Sequence, residues 1–212
     1  MSPVSFEVVG ARVEAYAAVP TLILRLRIVC TDGEPVHAMA LRSQIMIEPK
    51  RRRYDHDEEL RLTELFGETP RWGDTLRPFL WTNVSMTVTG FTGETVVDLP
   101  ITCTYDFEIA AAKYMHSLDD GEIPIVAMFS GTVFNKSAAG LSAAPVSWSE
   151  EASYRLPVRL YRDMMDLYFP NTGWLRLRRE TLDALQRYKS ERALLTWDET
   201  FEQLLKEAGE DV

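Results

Sequence analysis

The three histidines are the residues with the most direct chemical use, because imidazole binds metals and transfers protons near neutral pH. His37, His56 and His116 are not spaced with another histidine, a cysteine or an aspartate as metal sites require, and no HExxH or paired CxxC motif occurs. His116 precedes an acidic stretch at 119–122 whose carboxylates could hold a cation. A turn between two strands is the better interpretation, since Asp and Gly tolerate positive φ. We therefore predict no metal and no cofactor.

Nucleophilic side chains are also present without the partners that would activate them. The sequence has no GxSxG elbow, and Ser130 lies within a strand pattern. Cys103 has no basic neighbour to lower its pKa, and it and Cys30 are expected to be buried free thiols, although a disulfide between them is possible in principle. Distant carboxylates could still converge for acid–base chemistry, but Asp106 and Glu108 fall at outward strand positions. We predict that the protein is not an enzyme.

Aromatic and arginine residues in predicted loops are the candidates for binding another protein, because Trp, Tyr and Arg dominate interface hot spots. One group lies at 71–77 and the other at 168–179, between two predicted helices. The alternative is that the aromatic rings plug the core. The candidate partner-binding residues are Arg71, Trp72, Arg77, Tyr168, Phe169, Trp174, Arg176, Arg178 and Arg179.

Period-two alternation of apolar and polar residues predicts the strands that must position these groups. The clearest case is 22–30, where Arg25 and Arg27 alternate with apolar residues, and we expect the strand at 39–47 to return and pair with it. Residues 135–145 are small and are expected to form a mobile loop. The predicted strands are 6–16, 22–30, 39–47, 80–89, 96–110, 123–134 and 146–158.

After residue 158 the apolar period changes to that of helices. Two of these stripes start at Tyr161 and Leu182, and a third, near Phe201, follows a Thr196–Glu199 capping box. A shorter helix is predicted near 55–66, and the basic run before it at 50–53 is expected to be solvated, with an anion site as the alternative.

Together these patterns predict an α+β fold, with an antiparallel sheet or sandwich of about seven strands followed by two to three C-terminal helices. The predicted organisation is an antiparallel β domain over 1–158, with the short helical insertion near 55–66, and a helical tail over 159–212 packed on it as a single globular unit.

Composition bounds the class of protein. The chain has 212 residues, 46% of them hydrophobic, which is enough for a folded core. Its 32 acidic against 23 basic residues argue against nucleic-acid binding through bulk charge. The charge is uneven, since 174–192 holds six basic and three acidic residues and the stretch after Trp197 is acidic. No signal peptide or membrane span is visible, so we expect a cytoplasmic protein.

Four motifs carry a resemblance to a known family. They are RWGDTLRPF at 71–79, FTGETVVDLPITCTYDFE at 91–108, LDDGEIPIVAMFSGTVF at 118–134 and YFPNTGWLRLRRETLDALQRYK at 168–189. They resemble an uncharacterised family of this length in actinobacteria and related bacteria, over nearly the whole chain. The resemblance implies an accessory protein associated with nickel-iron hydrogenase gene clusters, and no catalytic residue.

A much weaker likeness is to the SecB export chaperone, which also combines antiparallel strands, C-terminal helices and an acidic charge balance. Here Phe169-Pro170 and 181–185 are loosely similar to its C-terminal region. The functional expectation is a non-catalytic accessory or assembly protein that binds another polypeptide, such as a hydrogenase subunit or maturation factor. The alternatives are a small-ligand or metal-binding β domain, a SecB-like chaperone and a self-assembling homo-oligomer.

Overall fold

A computed structural model describes residues 4–104, 106, 109–137, 140–170, 172–173 and 175–210. Its strands are antiparallel, and the predicted α+β class is confirmed, with eight strands where about seven were expected. The strands are β1 (Val4–Val13), β2 (Thr21–Cys30), β3 (Val36–Ile47), β4 (Phe79–Phe91), β5 (Glu94–Thr102), β6 (Glu122–Ser137), β7 (Gly140–Pro145) and β8 (Glu151–Pro157).

Two sheets pack face to face as a β-sandwich. The first has the order β1-β2-β5, and the second has the order β4-β3-β6 with β7 and β8 both paired to β6. Phe6 of β1 stacks on Phe129 of β6 with ring centroids 4.3 Å apart, so the two inner faces share one core. The alternation in β2 is as predicted: Leu24 and Leu26 are fully buried, and Arg27 on the other face pairs with Glu7 and Glu94.

The prediction that the second and third strands pair with each other is wrong. Both edges of β2 are occupied, by β1 and β5, and β3 pairs with β4 and β6 in the other sheet. Gly33, with φ of 75°, turns the chain between the two sheets. Alternation fixes which face of a strand is buried, but it does not specify the neighbouring strand.

Two predicted boundaries also need correction. Of the expected mobile loop at 135–145, residues 135–137 end β6 and pair with β7 at 140–145, because backbone pairing needs no large side chains. Residues 138 and 139 lie outside the described residues. The strand predicted at 96–110 ends at Thr102, and Ala110 already begins a helix in an alanine-rich segment that favours it. Residues 105, 107 and 108 of that prediction lie outside the described residues.

Along the chain, the helices up to residue 168 lie between β3 and β4, between β5 and β6, and directly after β8. The predicted helix near 55–66 is confirmed, with an Asp55–Glu58 capping box and Gly67 at its end. The described helices are α1 (His56–Phe66), α2 (Trp72–Thr75), α3 (Ala110–His116), α4 (Val158–Tyr168), α5 (Arg179–Glu191) and α6 (Trp197–Ala208), with 3-10 turns at Pro49–Arg51 and Thr69–Arg71.

The chain divides into two compact units, Met1–Gly173 and Trp174–Val212. The first contains the sandwich and α1 to α4, and the second contains the helical hairpin of α5 and α6. The predicted capping box of Thr196 and Glu199 at the start of α6 is present. None of the described helices is long and apolar enough to cross a membrane. The division into a β domain over 1–158 and a packed tail over 159–212 stays a prediction.

Candidate functional site

The two cysteines are free and buried, as predicted. Burial raises the pKa of the Cys103 thiol to about 12. Burial, helped by a hydrogen bond to the Asp32 carboxylate, raises the pKa of Cys30 to about 11. Both side chains are therefore neutral thiols near neutral pH, and nucleophilic chemistry requires the thiolate.

Two tyrosines, the buried Tyr114 and the half-buried Tyr54, form the centre of an aromatic cluster. The hydroxyl groups of Tyr54 and Tyr114 are 2.9 Å apart, and burial raises the pKa of both phenols. Phe66 and Phe79 both pack edge-on against the Tyr114 ring, with centroids 6.1 and 5.6 Å away. This arrangement is a packed core layer, with the polar tips of the tyrosines hydrogen-bonded to each other.

The basic run at 50–53 is not wholly solvated, contrary to the prediction. The guanidinium of Arg52 forms an ion pair with Glu58, and the two side chains are 9% and 3% exposed. Arg52 also donates to the carbonyl oxygen of Glu122, and Glu58 accepts from the backbone N–H of Asp119. Because Glu58 neutralises it, Arg52 joins α1 to the start of β6 rather than offering an anion site.

The acidic stretch at 119–122 was predicted to be a turn between two strands. The prediction is wrong for the element before the stretch, which is helix α3 and not a strand. Gly121 does have the expected positive φ, 80°. Asp119 pairs with Arg61 and Arg162, and these hydrogen bonds hold the pKa of its carboxyl below the ordinary value. Among the described residues, no group of three or more His, Cys, Asp and Glu residues could hold a metal ion.

A half-open cleft of about 500 Å³ lies between α3, α4 and the segment after α4. Burial and the nearby charge of Arg162 lower the pKa of His116, whose ring meets Tyr161 edge-on at 5.3 Å. The other lining residues are Met115, Met165, Asp166, Phe169, Thr172 and Gly173. The lining mixes apolar side chains with charged and polar ones, and the volume is within the range of small-ligand sites.

The first candidate group for partner binding contains one buried and two exposed residues. Trp72 is 7% exposed, and its indole Nε1–H donates to the carbonyl oxygen of Gly67 at 2.8 Å. Its ring packs edge-on against Tyr54, with centroids 5.3 Å apart. Arg71 and Arg77 are exposed on either side of it. Trp72 is therefore a core residue, and the accessible part of this group is the two arginines.

The second candidate group is divided between the two units. Tyr168 is half-buried, with its hydroxyl 2.7 Å and 2.9 Å from the carbonyl oxygens of Glu14 and Ala17, and Phe169 packs partly buried against the core. These contacts give both rings a structural role. Trp174 lies outside the described residues. The exposed members of the group are Arg176, Arg178 and Arg179, all in the second unit.

The helical hairpin carries an apolar stripe whose residues are exposed or half-buried. In α5 Leu182 is 44% exposed, and in α6 Leu205 is 41% exposed. No residue of α5 is buried, and Thr200 is the one described residue of α6 that is. The other apolar members of the stripe, each half-buried or exposed, are Leu185, Tyr188, Trp197, Phe201 and Leu204. The helical period identified these residues in the sequence, but it did not indicate that they stay accessible.

Polar contacts fix the two helices of the hairpin to each other. Arg192 stacks over the Tyr188 ring, 3.8 Å from its centroid, and pairs with Glu207 at 3.5 Å. The ammonium group of Lys189 donates to the carbonyl oxygens of Leu194 and Leu195 in the connecting turn. The segment around α5 carries more basic than acidic residues and α6 carries more acidic ones. The hairpin thus carries apolar residues on both helices, basic residues before and after α5, and an excess of acidic residues in α6.

Comparison with known proteins gives a family and distant structural likenesses. The chain matches no curated protein. The CARDB domain of a Pyrococcus furiosus protein, solved with di-metal ions, is 10% identical over 73% of this chain and 90% of that one, with a TM-score of 0.27. A Kluyveromyces marxianus β-glucosidase is 6% identical over 72% of this chain and 14% of that one, with a TM-score of 0.28. TM-scores this low carry no argument about function.

A family model described as a family of unknown function, DUF6084, matches residues 1–212. The chain therefore belongs to this family, and the expectation of an uncharacterised family is confirmed.

Proposed function

We propose that this member of the DUF6084 family is a non-catalytic accessory protein that binds another polypeptide through the hairpin of α5 and α6. The observation that carries the proposal is the apolar stripe on both helices, represented by Leu182 and Leu205, which remains exposed. Exposed apolar surface bordered by charged residues is characteristic of protein-binding sites. A cytoplasmic location is part of the proposal.

The size of the hairpin supports this function. Two helices of 13 and 12 residues are too short to be stable by propensity alone, because helices of that length depend on packing of their apolar face. The same kind of stripe in α4 has its packing surface: Tyr161, Met164 and Met165 are buried in the core. Within their own unit, Leu182 of α5 and Leu205 of α6 stay exposed, and a bound helix would cover them.

The arginines at the start of α5 indicate the charge of the partner. Arg178 is the N-cap residue of α5 and Arg179 is its first helical residue. Within the described chain, the start of the helix has no side-chain capping hydrogen bond. Cations are unfavourable at a helix N-terminus, where the macrodipole is positive. Their cost to the helix is offset if they contact carboxylates of a partner. We therefore propose an amphipathic helical segment with an acidic flank facing α5 and a basic flank facing α6.

A hydrogenase subunit or maturation factor is the specific partner implied by the family resemblance, and it remains part of the proposal. The test begins with affinity purification of the full chain from its native host. The purified partner is then titrated against the wild type and the Leu182→Ser/Leu205→Ser variant. We expect the variant to bind at least tenfold more weakly, because both side chains lie on the proposed contact surface.

The control is Leu60→Ser, which makes the same substitution at a more exposed leucine of α1, at 62% exposure, in the other unit. It should bind the partner as the wild type does. Recovery of no stable partner, or equal binding by the hairpin variant, would reject the proposal. Recovery of a specific partner that is not a hydrogenase component would reject only the implied identity, and SecB-like client binding would appear as many unrelated partners.

Small-ligand binding is a second candidate function, favoured by the cleft of about 500 Å³ around His116 and Arg162. A thermal-shift screen of small carboxylates, nucleotides and divalent cations tests it, since a ligand that binds the folded state raises Tm. The shift should disappear in His116→Gln. If no compound shifts Tm, or if His116→Gln retains the shift, the cleft is not the binding site.

A further inference from the structure

We propose that β4 is a strand-pairing edge through which two copies of this chain join their larger sheets. Among the described strands β4 is hydrogen-bonded to β3 alone, so its other side is an open edge. Residues 79–91 make no further backbone hydrogen bond within the described chain. Every second residue of such an edge presents an unpaired N–H and C=O group, which is a template for another strand.

The composition of β4 distinguishes it from the other edges of the sandwich. Natural edge strands avoid pairing by being short or by carrying charges and proline. Charged residues occur in β1, β5 and β8, and β7 has six residues and ends at Pro145. β4 has 13 residues, none charged and none proline. It therefore lacks the features that keep the other edges unpaired.

The inner face of β4 is incompletely covered. Val84 and Met86 are only half-buried, whereas Ser43 and Leu41, directly opposite them on β3, are 0% and 2% exposed. A strand added beside β4 would cover these two side chains with its own inward residues. The free stretch for pairing is 82–89, because an irregularity interrupts the ladder between β3 and β4 at Trp81.

The occupant that best fits this edge is a second copy of β4 running antiparallel. Around a two-fold axis at Ser85 or at Met86, inward residues such as Val84 and Val88 face inward residues of the other copy, and the outward Asn, Ser and Thr residues of 83–87 face one another. Cross-strand pairs of these types are favourable, and a strand without charge brings no like charges together. Such a self-complementary contact closes as a dimer.

The test compares the full-length wild type with Ser85→Lys/Thr87→Lys by sedimentation velocity over a range of concentrations. We expect the wild type to dimerise and the variant to have a dissociation constant at least tenfold higher, because lysines would oppose lysines in either register. Hydrogen exchange gives a second readout: amides in 82–89 should gain protection as the wild-type concentration rises. The matched control, Ser153→Lys, places the same substitution at an exposed position of β8 and should still dimerise.

Several outcomes would overturn the proposal. One is a wild type that stays monomeric at every concentration, and another is a dimer that survives in Ser85→Lys/Thr87→Lys with its 82–89 amides still protected. If Leu182→Ser/Leu205→Ser alone abolishes the dimer, self-association uses the hairpin and not β4. A monomeric wild type whose 82–89 amides become protected only with a different protein would show that the edge serves another partner.

Discussion

Arg52 and Glu58 form an ion pair whose two side chains are almost completely removed from water, although they flank the exposed start of α1. Removing one member of such a pair leaves a buried charge without its partner. We expect Arg52→Met to lower the free energy of unfolding by about 3 to 5 kcal/mol, measured by urea denaturation. Arg51→Met, next to it, removes a pair with Glu48 in which the Arg51 side chain is 59% exposed, and it should cost about 1 kcal/mol or less. Equal losses in the two variants would contradict this.

Gly131 lies where β6 changes its partner from β8 to β7, and its φ is 149°. A Cβ at this position would be 2.0 Å from the carbonyl oxygen of Ala40. We expect Gly131→Ala to destabilise the protein by about 3 kcal/mol or more, since clash and backbone strain add. Gly10→Ala is the control, because a Cβ there meets nothing within 4 Å. Thermal unfolding of both variants measures the difference.

A substitution at Tyr168 tests whether this candidate partner-binding residue has a structural role. Its hydroxyl holds the connection between β1 and β2 through the carbonyl oxygens of Glu14 and Ala17. Tyr168→Phe should lower the free energy of unfolding by about 1 kcal/mol, the usual net value of a lost hydrogen bond. Partner binding should be unchanged. An unaltered stability together with weaker binding would instead assign the hydroxyl to the partner surface.

The buried thiols make stability fall at alkaline pH. In the unfolded chain a thiol ionises near pH 9.0, whereas burial raises the pKa of Cys30 to about 11 and of Cys103 to about 12. Each raised pKa gives stability that is fully present below pH 9 and is lost as the pH rises toward the folded value. Urea titrations from pH 8 to pH 11 should show a shallower decline in Cys30→Ala/Cys103→Ala. An identical decline would show that other groups control it.

The arginines before α5 provide a test of partner charge. Arg176→Ala/Arg178→Ala/Arg179→Ala should weaken binding of the purified partner and reduce its salt dependence, because exposed charge contacts are screened by salt. Tm should not fall, since cations oppose the macrodipole at this helix end. The control Arg71→Ala/Arg77→Ala removes two exposed arginines of the other unit. Equal weakening by the control would show a diffuse charge effect. The contribution of Trp174 stays a prediction.

The sequence was sufficient to predict the fold class and several details, because these depend on local periodicity. The alternation around Leu24 and Arg25 predicted which face of β2 is buried, and the stripe starting at Tyr161 predicted a helix, which is α4. The Thr196–Glu199 capping box predicted the start of α6. The absence of charge over 79–91 was also readable, but it acquires meaning only when β4 is known to be an edge.

Tertiary structure alone decided which elements meet. The apolar stripes beginning at Tyr161 and at Leu182 both have helical spacing, yet Tyr161 is buried and Leu182 is exposed. Trp72 and the arginines beside it were one candidate group in the sequence, and packing divided them between core and surface. Arg52 reaches Glu58 and the start of β6 at Glu122, a long-range contact that no local pattern encodes. A residue's neighbours in sequence determine its secondary structure and the face of the strand or helix on which it lies. Burial and strand pairing depend on chain segments that come together only in the folded state.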